Sequence, residues 1–410
     1  MAKEVRCVRT VRNRRHIDRS EERSAAALPN ERMSSRERVL AAMRRRPVDH
    51  VPCAPFMNAQ DASQRMGRRW QYPFGPSVPE TLEYMVGTLG VDQIVSLSWE
   101  HFPEPGVSSR VWMEGDTIHK NVQTPSGRLA AAVRYDANWP HGLDIPFFSD
   151  YNPSHFIEPW LKSMADVACM RHILLPPKSR DELEQIRFSH RVAKDLAGRY
   201  GLATCFSFGS GLTGALQVFG PSEVCLLAAA EPGLIDAYLA LDHAWTMANY
   251  EIALDLGVDI VRRNGFYESS DFYSPSMLQS FLAQRLREEV SIVHQAGTVI
   301  GYTLLTGYVP MLDYLSKLDL DCIMCPDVFM KGGDAAALNR ALGGRTSFWT
   351  GPSDTIHMPW DRPEEVRAAV RHVFAAFGRT GLLITPCSSS KAVFPWGNVL
   401  AMVDEWKKLR

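Results

Sequence analysis

Residues 259–275 read DIVRRNGFYESSDFYSP and indicate the fold of this chain more clearly than any other segment. The segment begins as a short apolar strand, continues as a polar turn that carries Glu268 and Asp271, and ends at Ser274 and Pro275, where a long helix is expected to begin. A strand, an acidic loop and a capped helix together form one unit of a β/α barrel, in which the loop after each strand carries the chemistry. We therefore expect the active site at this loop.

The same alternation of strand and helix extends in both directions along the chain. From residue 51 onward, apolar strands are separated by amphipathic helices, which is typical of a parallel sheet buried on both faces. Eight such units favour a closed (β/α)8 barrel, the TIM barrel, over the alternative of an open doubly wound sheet. The predicted strands span residues 51–57, 93–99, 202–209, 259–266, 299–306, 322–326, 347–350 and 382–386.

Two segments depart from this alternation. Residues 101–160 contain short β-type runs and turn signals, and they predict a β-hairpin insertion after the second strand that covers the barrel mouth. Residues 1–32 are rich in arginine and lack apolar periodicity, so we expect a disordered basic tail or a mis-assigned start codon. The predicted domains are therefore a tail over 1–32 and a barrel over 33–410.

Composition excludes several classes of protein. A net charge of -1 over 410 residues provides no overall field to recruit nucleic acid or an anionic membrane. The sequence contains no apolar run of transmembrane length, and its basic beginning lacks the apolar segment of a secretory signal. The 8 cysteines are scattered, mostly in apolar runs, which suits reduced and buried thiols. We expect a cytoplasmic protein that binds a small molecule, with no nucleic-acid or membrane partner.

Charged residues of the opening segment are the first candidate site residues. Glu268 and Asp271 follow a strand end and are candidates for a general acid or a metal ligand, although Asp271 or Ser274 alternatively caps the following helix. Arg262 and Arg263 are adjacent in the strand, so one faces the barrel interior and the other the helices. An interior arginine either anchors a substrate carboxylate or phosphate or forms an ion pair, with Glu268 or Asp327 as the expected partner.

Tyrosines cluster around the ends of two neighbouring strands. A tyrosine hydroxyl can donate to a developing oxyanion, and its ring can stack on an aromatic substrate. Tyr302 is the candidate for a catalytic role, and Tyr267 and Tyr308 are candidates for substrate contact; packing is the alternative for each of them.

Further candidates follow the later strands. His357 is a candidate for substrate contact or acid-base chemistry, against the alternative of a hydrogen-bonded structural histidine. Ser388 begins a polar run after the last strand, where barrels often bind phosphate. Cys325 lies near the end of one predicted strand, Asp327 follows that strand and Cys387 follows another. The three form a candidate metal site at adjacent strand ends.

Several longer segments resemble one known family. Residues 34–52 (SSRERVLAAMRRRPVDHVP), 124–129 (TPSGRL), 231–261 (EPGLIDAYLALDHAWTMANYEIALDLGVDIV) and 351–374 (GPSDTIHMPWDRPEEVRAAVRHVF), together with the acidic loop and its YSP, resemble the uroporphyrinogen decarboxylase superfamily. This superfamily also contains cobalamin-dependent methyltransferases. The similarity extends over about residues 33–410 and implies the (β/α)8 fold, whereas a fold shared by several chemistries does not by itself imply one reaction.

Two branches of the superfamily carry motifs that this chain lacks. The decarboxylase branch binds propionate carboxylates with an Arg-Gln-Ala-Gly-Arg motif after the first strand, where residues 55–70 here read PFMNAQDASQRMGRRW. The thiol-activating methyltransferase branch binds zinc through His-x-Cys-Gly and a later cysteine. Leu304 and Thr306 stand at the His and Cys positions here, and only Gly307 and Cys387 match. Zinc or another divalent metal would therefore lack its usual His-x-Cys ligands.

The resemblance leaves a third branch, in which a methyl group passes from a small methylated or methoxylated compound to a corrinoid. This reaction needs an acid or Lewis acid at the leaving group, for which acidic, tyrosine-rich loops are suited. Our first hypothesis is a corrinoid-linked methyltransferase or demethylase, with the corrinoid carried by a separate partner protein. The alternatives are a decarboxylase or lyase of a polycarboxylate such as a porphyrinogen, and a non-catalytic ligand-binding barrel.

Overall fold

The computed structural model describes residues 33–55, 78–387 and 394–410. The predicted tail over 1–32 and the candidate residue Ser388 lie outside these ranges. The strands are, in chain order, β1 (Ile94–Leu97), β2 (Ser108–Glu114), β3 (Thr117–Thr124), β4 (Gly127–Arg134), β5 (Phe156–Glu158), β6 (Ala203–Phe208), β7 (Ile260–Asn264), β8 (Val299–Thr303), β9 (Cys322–Met324), β10 (Ser347–Thr350) and β11 (Leu382–Ile384).

Seven of these strands form one parallel sheet in the order β1-β6-β7-β8-β9-β10-β11. Helices lie between consecutive strands, as parallel pairing requires. The predicted α/β class is confirmed, and strands are present at seven of the eight predicted places, most of them ending a few residues earlier than expected. Most residues of these strands are buried, as expected for a parallel sheet covered on both faces.

The two edges of this sheet approach the same short segment. Ala54 N donates to Ile384 O of β11 at 2.9 Å, and Asp92 N, just before β1, donates to Cys53 O at 2.7 Å. The sheet therefore curls around so that both edges face this segment. Within the described residues the segment makes only an isolated parallel bridge, Cys53 to Ile384, at the place of the first predicted strand. The eighth strand of the barrel stays a prediction, because residues 56–57 of that strand lie outside the described ranges.

The helices of the described residues lie mostly where the periodicity predicts them. They are α1 (Ser35–Met43), α2 (Val78–Leu82), which continues as a π-helical turn (Glu83–Thr88), α3 (Asn152–His155), α4 (Met164–Met170), α5 (Arg180–Tyr200), α6 (Gly211–Phe219), α7 (Pro221–Ala230), α8 (Pro232–Asp255), α9 (Pro275–Gln295), α10 (Leu312–Leu315), preceded by a 3-10 turn (Val309–Met311), α11 (Ala335–Leu342), α12 (Pro363–Phe377) and α13 (Trp396–Leu409).

Serine side chains begin the helices that the sequence predicts best. Ser34 and Ser179 form capping boxes at α1 and α5, with a glutamate three residues later. Ser274 accepts from Met277 N at 3.2 Å and caps α9. The cap of α9 is therefore Ser274 and not Asp271, which leaves the Asp271 carboxylate for another role.

The two faces of the parallel sheet pack against different partners. One face turns inward, where β-strand residues such as Cys205, Ile260 and Val299 pack against Val39 and Met43 of α1. The other face packs against the surrounding helices in the main apolar core. The helix α1 therefore fills one end of the curled sheet, and the carboxyl ends of the strands form the other end.

Residues 108–158 form a second, antiparallel sheet in the order β2-β3-β4-β5. The predicted β-hairpin over 101–160 is thus a four-stranded sheet in the structure. The two additional strands are β2 and β5, which pair on either side of the β3-β4 hairpin. Neither gives an alternating apolar pattern in the sequence, because β2 is mostly exposed and β5 has only 3 residues. That this insertion covers the barrel mouth stays a prediction.

The described cysteines are all free thiols, and all except Cys225 are buried.

Among the described helices, none is long and apolar enough to cross a bilayer alone. The helices α6 and α7, which are bent by 113° relative to each other, have the length and composition of a membrane span only when they are taken together.

Candidate functional site

Arg262 and Arg263 lie on opposite faces of β7, as the strand alternation predicts. Arg262 follows Ile260 by two residues, so it shares the inward face, and its neighbours in register are Ser207 of β6 and Gly301 of β8. Arg263 is 2% exposed and faces the helices. Arg262 is therefore the arginine on the inward face of the curled sheet.

Polar groups surround Arg262 at the carboxyl end of the inward face. Its Nε donates to Thr303 Oγ1 at 3.1 Å, and its guanidinium carbon lies 5.8 Å from the centre of the Phe266 ring. Ser207 and Asn264 share this face and are half-buried, as Arg262 is. These three half-buried residues and the fully buried Thr303 are termed the interior polar cluster. A guanidinium partly removed from water beside hydroxyl and amide groups can bind a substrate carboxylate or phosphate.

The sequence analysis missed three members of this cluster. All three lie at strand ends. Ser207 of β6 is in register with Arg262, and Asn264 follows Arg262 by two residues on β7. The signal was present in the period of two along β7, which places Asn264 on the same face as Arg262. It could not be used because a single sequence does not tell which of two adjacent arginines faces inward.

Glu268 and Tyr302 form a buried ionic network with Arg263. Glu268 has no exposed surface. Its Oε1 accepts from Arg263 at 3.0 Å and from Leu212 N at 2.8 Å, and its Oε2 accepts from the Tyr302 hydroxyl at 2.7 Å. The other side of Arg263 donates to Glu289 of α9 at 2.9 Å. Two carboxylates hold the Arg263 pKa well above its usual value despite burial, so the guanidinium stays charged.

This arrangement bears on two predicted roles, which stay predictions. Glu268 was predicted as a catalytic acid and Tyr302 as a catalytic donor, but both are enclosed on the helix-facing side of the sheet and bonded to each other. Burial first, and then the Glu268 charge, raise the Tyr302 pKa well above its usual value, so the phenol acts as a fixed donor. The ion pair expected between an interior arginine and Glu268 is formed instead by the helix-facing Arg263. The role of Arg263 in substrate binding stays a prediction.

The same network also begins the helix α6. Leu212 N donates to Glu268, while Gly211 N and the Ser210 hydroxyl donate to Asp242 of α8 at 2.8 and 2.5 Å. Carboxylates at a helix N-terminus satisfy its unpaired N–H groups and interact favourably with the helix dipole. Glu268 and Asp242 therefore connect β7, α8 and α6 as structural residues.

Asp271 and Tyr267 remain at the edge of the site. Asp271 is exposed and packs closely on the backbone of Gly307, where an added Cβ would lie 2.9 Å from its carboxylate. The Tyr267 hydroxyl donates to Asp150 at 3.5 Å, and Asp150 also accepts from Gln217 at 2.6 Å. Burial and the Asp150 charge raise the Tyr267 pKa to about 12, so this phenol keeps its proton at neutral pH. Both residues stay candidates for contact with a substrate.

Tyr308 is buried and joins two loops. Its hydroxyl donates to Asp327 O at 3.4 Å and accepts from Asp334 N at 3.2 Å. Both bonds are to backbone groups and hold the two loops together, and the substrate contact of Tyr308 stays a prediction.

His357 lies in the segment that follows β10. Its Nδ1 accepts from Ser353 N at 3.1 Å, and its ring meets the Phe329 ring edge-on at 4.6 Å. Burial lowers its pKa, which favours the neutral imidazole. His357 lines a cleft of about 440 Å³ together with Phe329 and residues of α12, including Glu365 and His372. No described contact connects His357 with the interior polar cluster, and its contact with a substrate stays a prediction.

The candidate metal residues do come close to one another, but they are engaged elsewhere. The Asp327 carboxylate accepts from Phe329 N and Met330 N, and the Cys387 thiol lies 3.3 Å from Thr350 Oγ1 and 3.4 Å from Pro326 O. Burial raises the Cys387 pKa well above its usual value, so it stays a neutral thiol. In the described part of the chain no group of three or more His, Cys, Asp or Glu residues is arranged to hold a metal ion.

The donor set at this place therefore does not fit zinc. Cys325 has a positive φ of 62° and is 1% exposed, Leu304 is fully buried, and Thr306 stands at the position of the cysteine. Cys325, Asp327 and Cys387 are buried residues, and a metal site formed by them stays a prediction.

Comparison with known proteins identifies solved structures with a similar fold. No protein-family model and no curated protein sequence matches the chain. A methyltransferase from Methanosarcina mazei superposes with a TM-score of 0.56 at 14% identity, over 92% of this chain and 99% of that one. The two proteins share one fold. This similarity shows the fold alone, at an identity too low to carry a reaction across.

Two further solved structures overlap with part of the chain. A B12-independent methionine synthase from a Shewanella species matches at a TM-score of 0.40 and 9% identity, over 57% of this chain and 66% of that one. A putative vitamin-B12 independent methionine synthase from Listeria monocytogenes matches at 0.36 and 14% identity, over 58% and 68%.

Proposed function

We propose that this protein is a methyl-transfer enzyme that takes a methyl group from a small methylated or methoxylated compound and passes it to a corrinoid on a partner protein. The observation that supports it best is the interior polar cluster at the carboxyl end of the sheet, in a fold shared along almost its full length with a methyltransferase. In β/α barrels this end of the strands holds the substrate.

Arg262 is the residue proposed to orient the substrate. It is half-buried, it has a fixed hydrogen bond to Thr303, and it lies beside the Phe266 ring. A methoxylated aromatic acid suits this arrangement, because its carboxylate pairs with the guanidinium while its ring packs against Phe266. Ser207 and Asn264 then contact the remaining polar groups of the substrate.

The methyl transfer breaks the bond between the substrate oxygen and the methyl carbon. The corrinoid supplies the nucleophile that accepts the methyl group, and the leaving oxygen needs a proton. We assign this proton donation to the edge of the site, where Tyr267 keeps its phenolic proton and Asp271 is exposed. No step passes through zinc, because the residues at the expected ligand positions do not fit it.

The experiment is a methyl-transfer assay with the purified protein under anaerobic conditions. The protein is mixed with chemically reduced cob(I)alamin and a panel of methoxylated and N-methylated compounds, and the spectrum of methylcobalamin is followed. We expect methylcobalamin with at least one compound that carries a carboxylate. An unchanged spectrum across the panel, with the reduced corrinoid still intact, would contradict methyl transfer, and a porphyrinogen decarboxylation assay would follow.

Arg262→Gln gives the residue-level prediction. With the active substrate we expect KM to rise by about tenfold or more, because the variant loses a charge-assisted contact to the carboxylate. Arg262→Lys should recover only part of this loss, since lysine cannot bind a carboxylate through two parallel hydrogen bonds. An unchanged KM in Arg262→Gln would remove Arg262 from the site.

A further inference from the structure

A serine, a histidine and a glutamate form a hydrogen-bonded chain outside the parallel sheet. The Ser126 hydroxyl lies 2.7 Å from His172 Nε2, and His172 Nδ1 lies 2.7 Å from Glu104 Oε2. Ser126 is exposed, His172 is 21% exposed at its side chain and Glu104 is 41% exposed. A nucleophile, a base and a group that orients the base, each within hydrogen-bond reach, is the arrangement that activates a serine.

Three separate segments bring these side chains together, and each is held in place. Ser126 lies in the turn between β3 and β4, which is fixed by the Thr124 hydroxyl donating to Gly127 O at 3.0 Å. The segments of Glu104 and His172 are joined through their backbones, because Glu104 N donates to His172 O at 2.9 Å. Phe102 N donates to Leu175 O at 3.0 Å and extends this connection. The three side chains are therefore positioned by backbone hydrogen bonds.

We propose that Ser126, His172 and Glu104 form a second active site, which hydrolyses small, unhindered carboxylic esters. Ser126 is the nucleophile and His172 is the general base. Glu104 is a positioning residue that holds the His172 ring with Nδ1 protonated, so that Nε2 is free to accept the serine proton. The proposal does not rest on methyl transfer, because these residues belong to the insertion and its flanking loops.

The reaction balances with water as the only co-reactant. Ser126 Oγ attacks the ester carbonyl carbon while its proton moves to His172 Nε2. The bond between carbonyl carbon and alkoxy oxygen then breaks, and the leaving alcohol takes the proton from His172. Water, deprotonated by the same histidine, attacks the acyl-serine, which releases the carboxylic acid and restores the Ser126 hydroxyl.

The same part of the chain contains a second serine, histidine and acid that serves as a control. Ser154 Oγ lies 3.0 Å from His155 Nδ1, and His155 Nε2 lies 3.3 Å from Asp136. Here, however, the Ser154 hydroxyl donates to Tyr151 O at 3.1 Å, and His155 Nδ1 is 2.8 Å from that same carbonyl oxygen. A nitrogen that donates to a carbonyl cannot accept the serine proton. Ser154 should therefore be inert.

The first test is covalent labelling of the full-length protein with a fluorophosphonate probe, followed by mass spectrometry of the labelled peptide. The probe phosphorus bonds to an activated serine oxygen and fluoride leaves. We expect the label on Ser126, its loss in Ser126→Ala, and wild-type labelling in Ser154→Ala. Ser126 lies at an exposed turn, so Ser126→Ala should keep the wild-type melting temperature. Absence of label from wild-type Ser126, or equal labelling of Ser154, would overturn the proposal.

Hydrolysis of p-nitrophenyl acetate gives an independent readout. We expect Ser126→Ala and His172→Ala each to lower the rate by about a hundredfold or more, the range that general acid-base catalysis contributes. Added imidazole should restore part of the His172→Ala rate and none of the Ser126→Ala rate. Glu104→Gln should lower kcat and leave KM close to wild type, because Glu104 acts on the His172 ring and does not contact the ester. Equal rates in wild type and Ser126→Ala would reject a serine hydrolase site.

Discussion

Two adjacent arginines of β7 have opposite surroundings, and their charges therefore have different consequences. Arg263 is 2% exposed and bonds to Glu268 and Glu289, so its charge is required to balance two buried carboxylates. Arg262 is half-buried beside a hydroxyl and an aromatic ring. A single step along a strand thus separates a residue that stabilises the fold from one that we propose to bind a ligand.

Replacement of each arginine by methionine should separate these roles. We expect Arg263→Met to lower the free energy of unfolding by about 3–5 kcal/mol, because it leaves Glu268 and Glu289 as uncompensated buried charges. Arg262→Met should unfold close to the wild-type denaturant concentration. Urea titrations followed by circular dichroism measure both. A stable Arg263→Met protein would contradict the structural role of the buried network.

At the scale of elements, α6 depends on glycine where it begins. Gly211 has φ of 47°, and an added Cβ would collide with Glu268 and Arg263. By contrast, Gly198 lies inside α5 with no atom of another residue within 4 Å of an added Cβ. An alanine side chain therefore has no space at position 211, whereas it is accommodated at position 198.

Gly211→Ala and Gly198→Ala should change stability in opposite directions. We expect Gly211→Ala to lower the melting temperature markedly, through both an unfavourable φ and displacement of the buried ion pair. Gly198→Ala should raise the free energy of unfolding by about 0.5–1 kcal/mol, the usual difference in helix propensity. Thermal unfolding of the two variants beside wild type measures this contrast, and a destabilised Gly198→Ala would contradict it.

The elements were largely predictable from periodicity, whereas the site was not. The apolar runs that became β6 to β11 and the capped helices α1, α5 and α9 follow from local patterns. The side on which Glu268 lies is not local: it depends on the turn after β7, where Glu268 N donates to Gly265 O, and on donors from Leu212 and Tyr302. A strand-end carboxylate can turn toward the mouth or toward the helices, and only the tertiary contacts distinguish the two.

At the scale of the whole molecule, the beginning and the end of the described chain are packed together. Trp406 of α13 donates from its ring nitrogen to Val51 O at 2.7 Å, and its ring centre lies 5.8 Å from that of His50. His50 Nδ1 is 3.3 Å from Asp49, which pairs in turn with Arg38 of α1. The packing of α1 and α13 therefore has a titratable group at its centre.

Stability should fall as the pH drops through the range in which His50 takes up a proton. Burial, followed by the charge of Arg38, lowers the His50 pKa to about 4, against about 6.5 in an unfolded chain. The unfolded state binds the extra proton first, so stability from this group is complete above pH 6.5 and is lost toward pH 4. We expect the melting temperature of His50→Gln to change less between pH 7 and pH 5 than that of wild type. Parallel curves would contradict the assignment.

The reactivity of the buried thiols reports the rate at which the native sheet opens. Cys53, Cys205, Cys322 and Cys387 are each fully enclosed in the curled sheet, while Cys225 is half-exposed on α7. A thiol reagent added to the native protein can modify the enclosed group only after the sheet opens, so the slow phase of modification times that opening. Cys225 provides the fast reference signal in the same sample, without any engineered label.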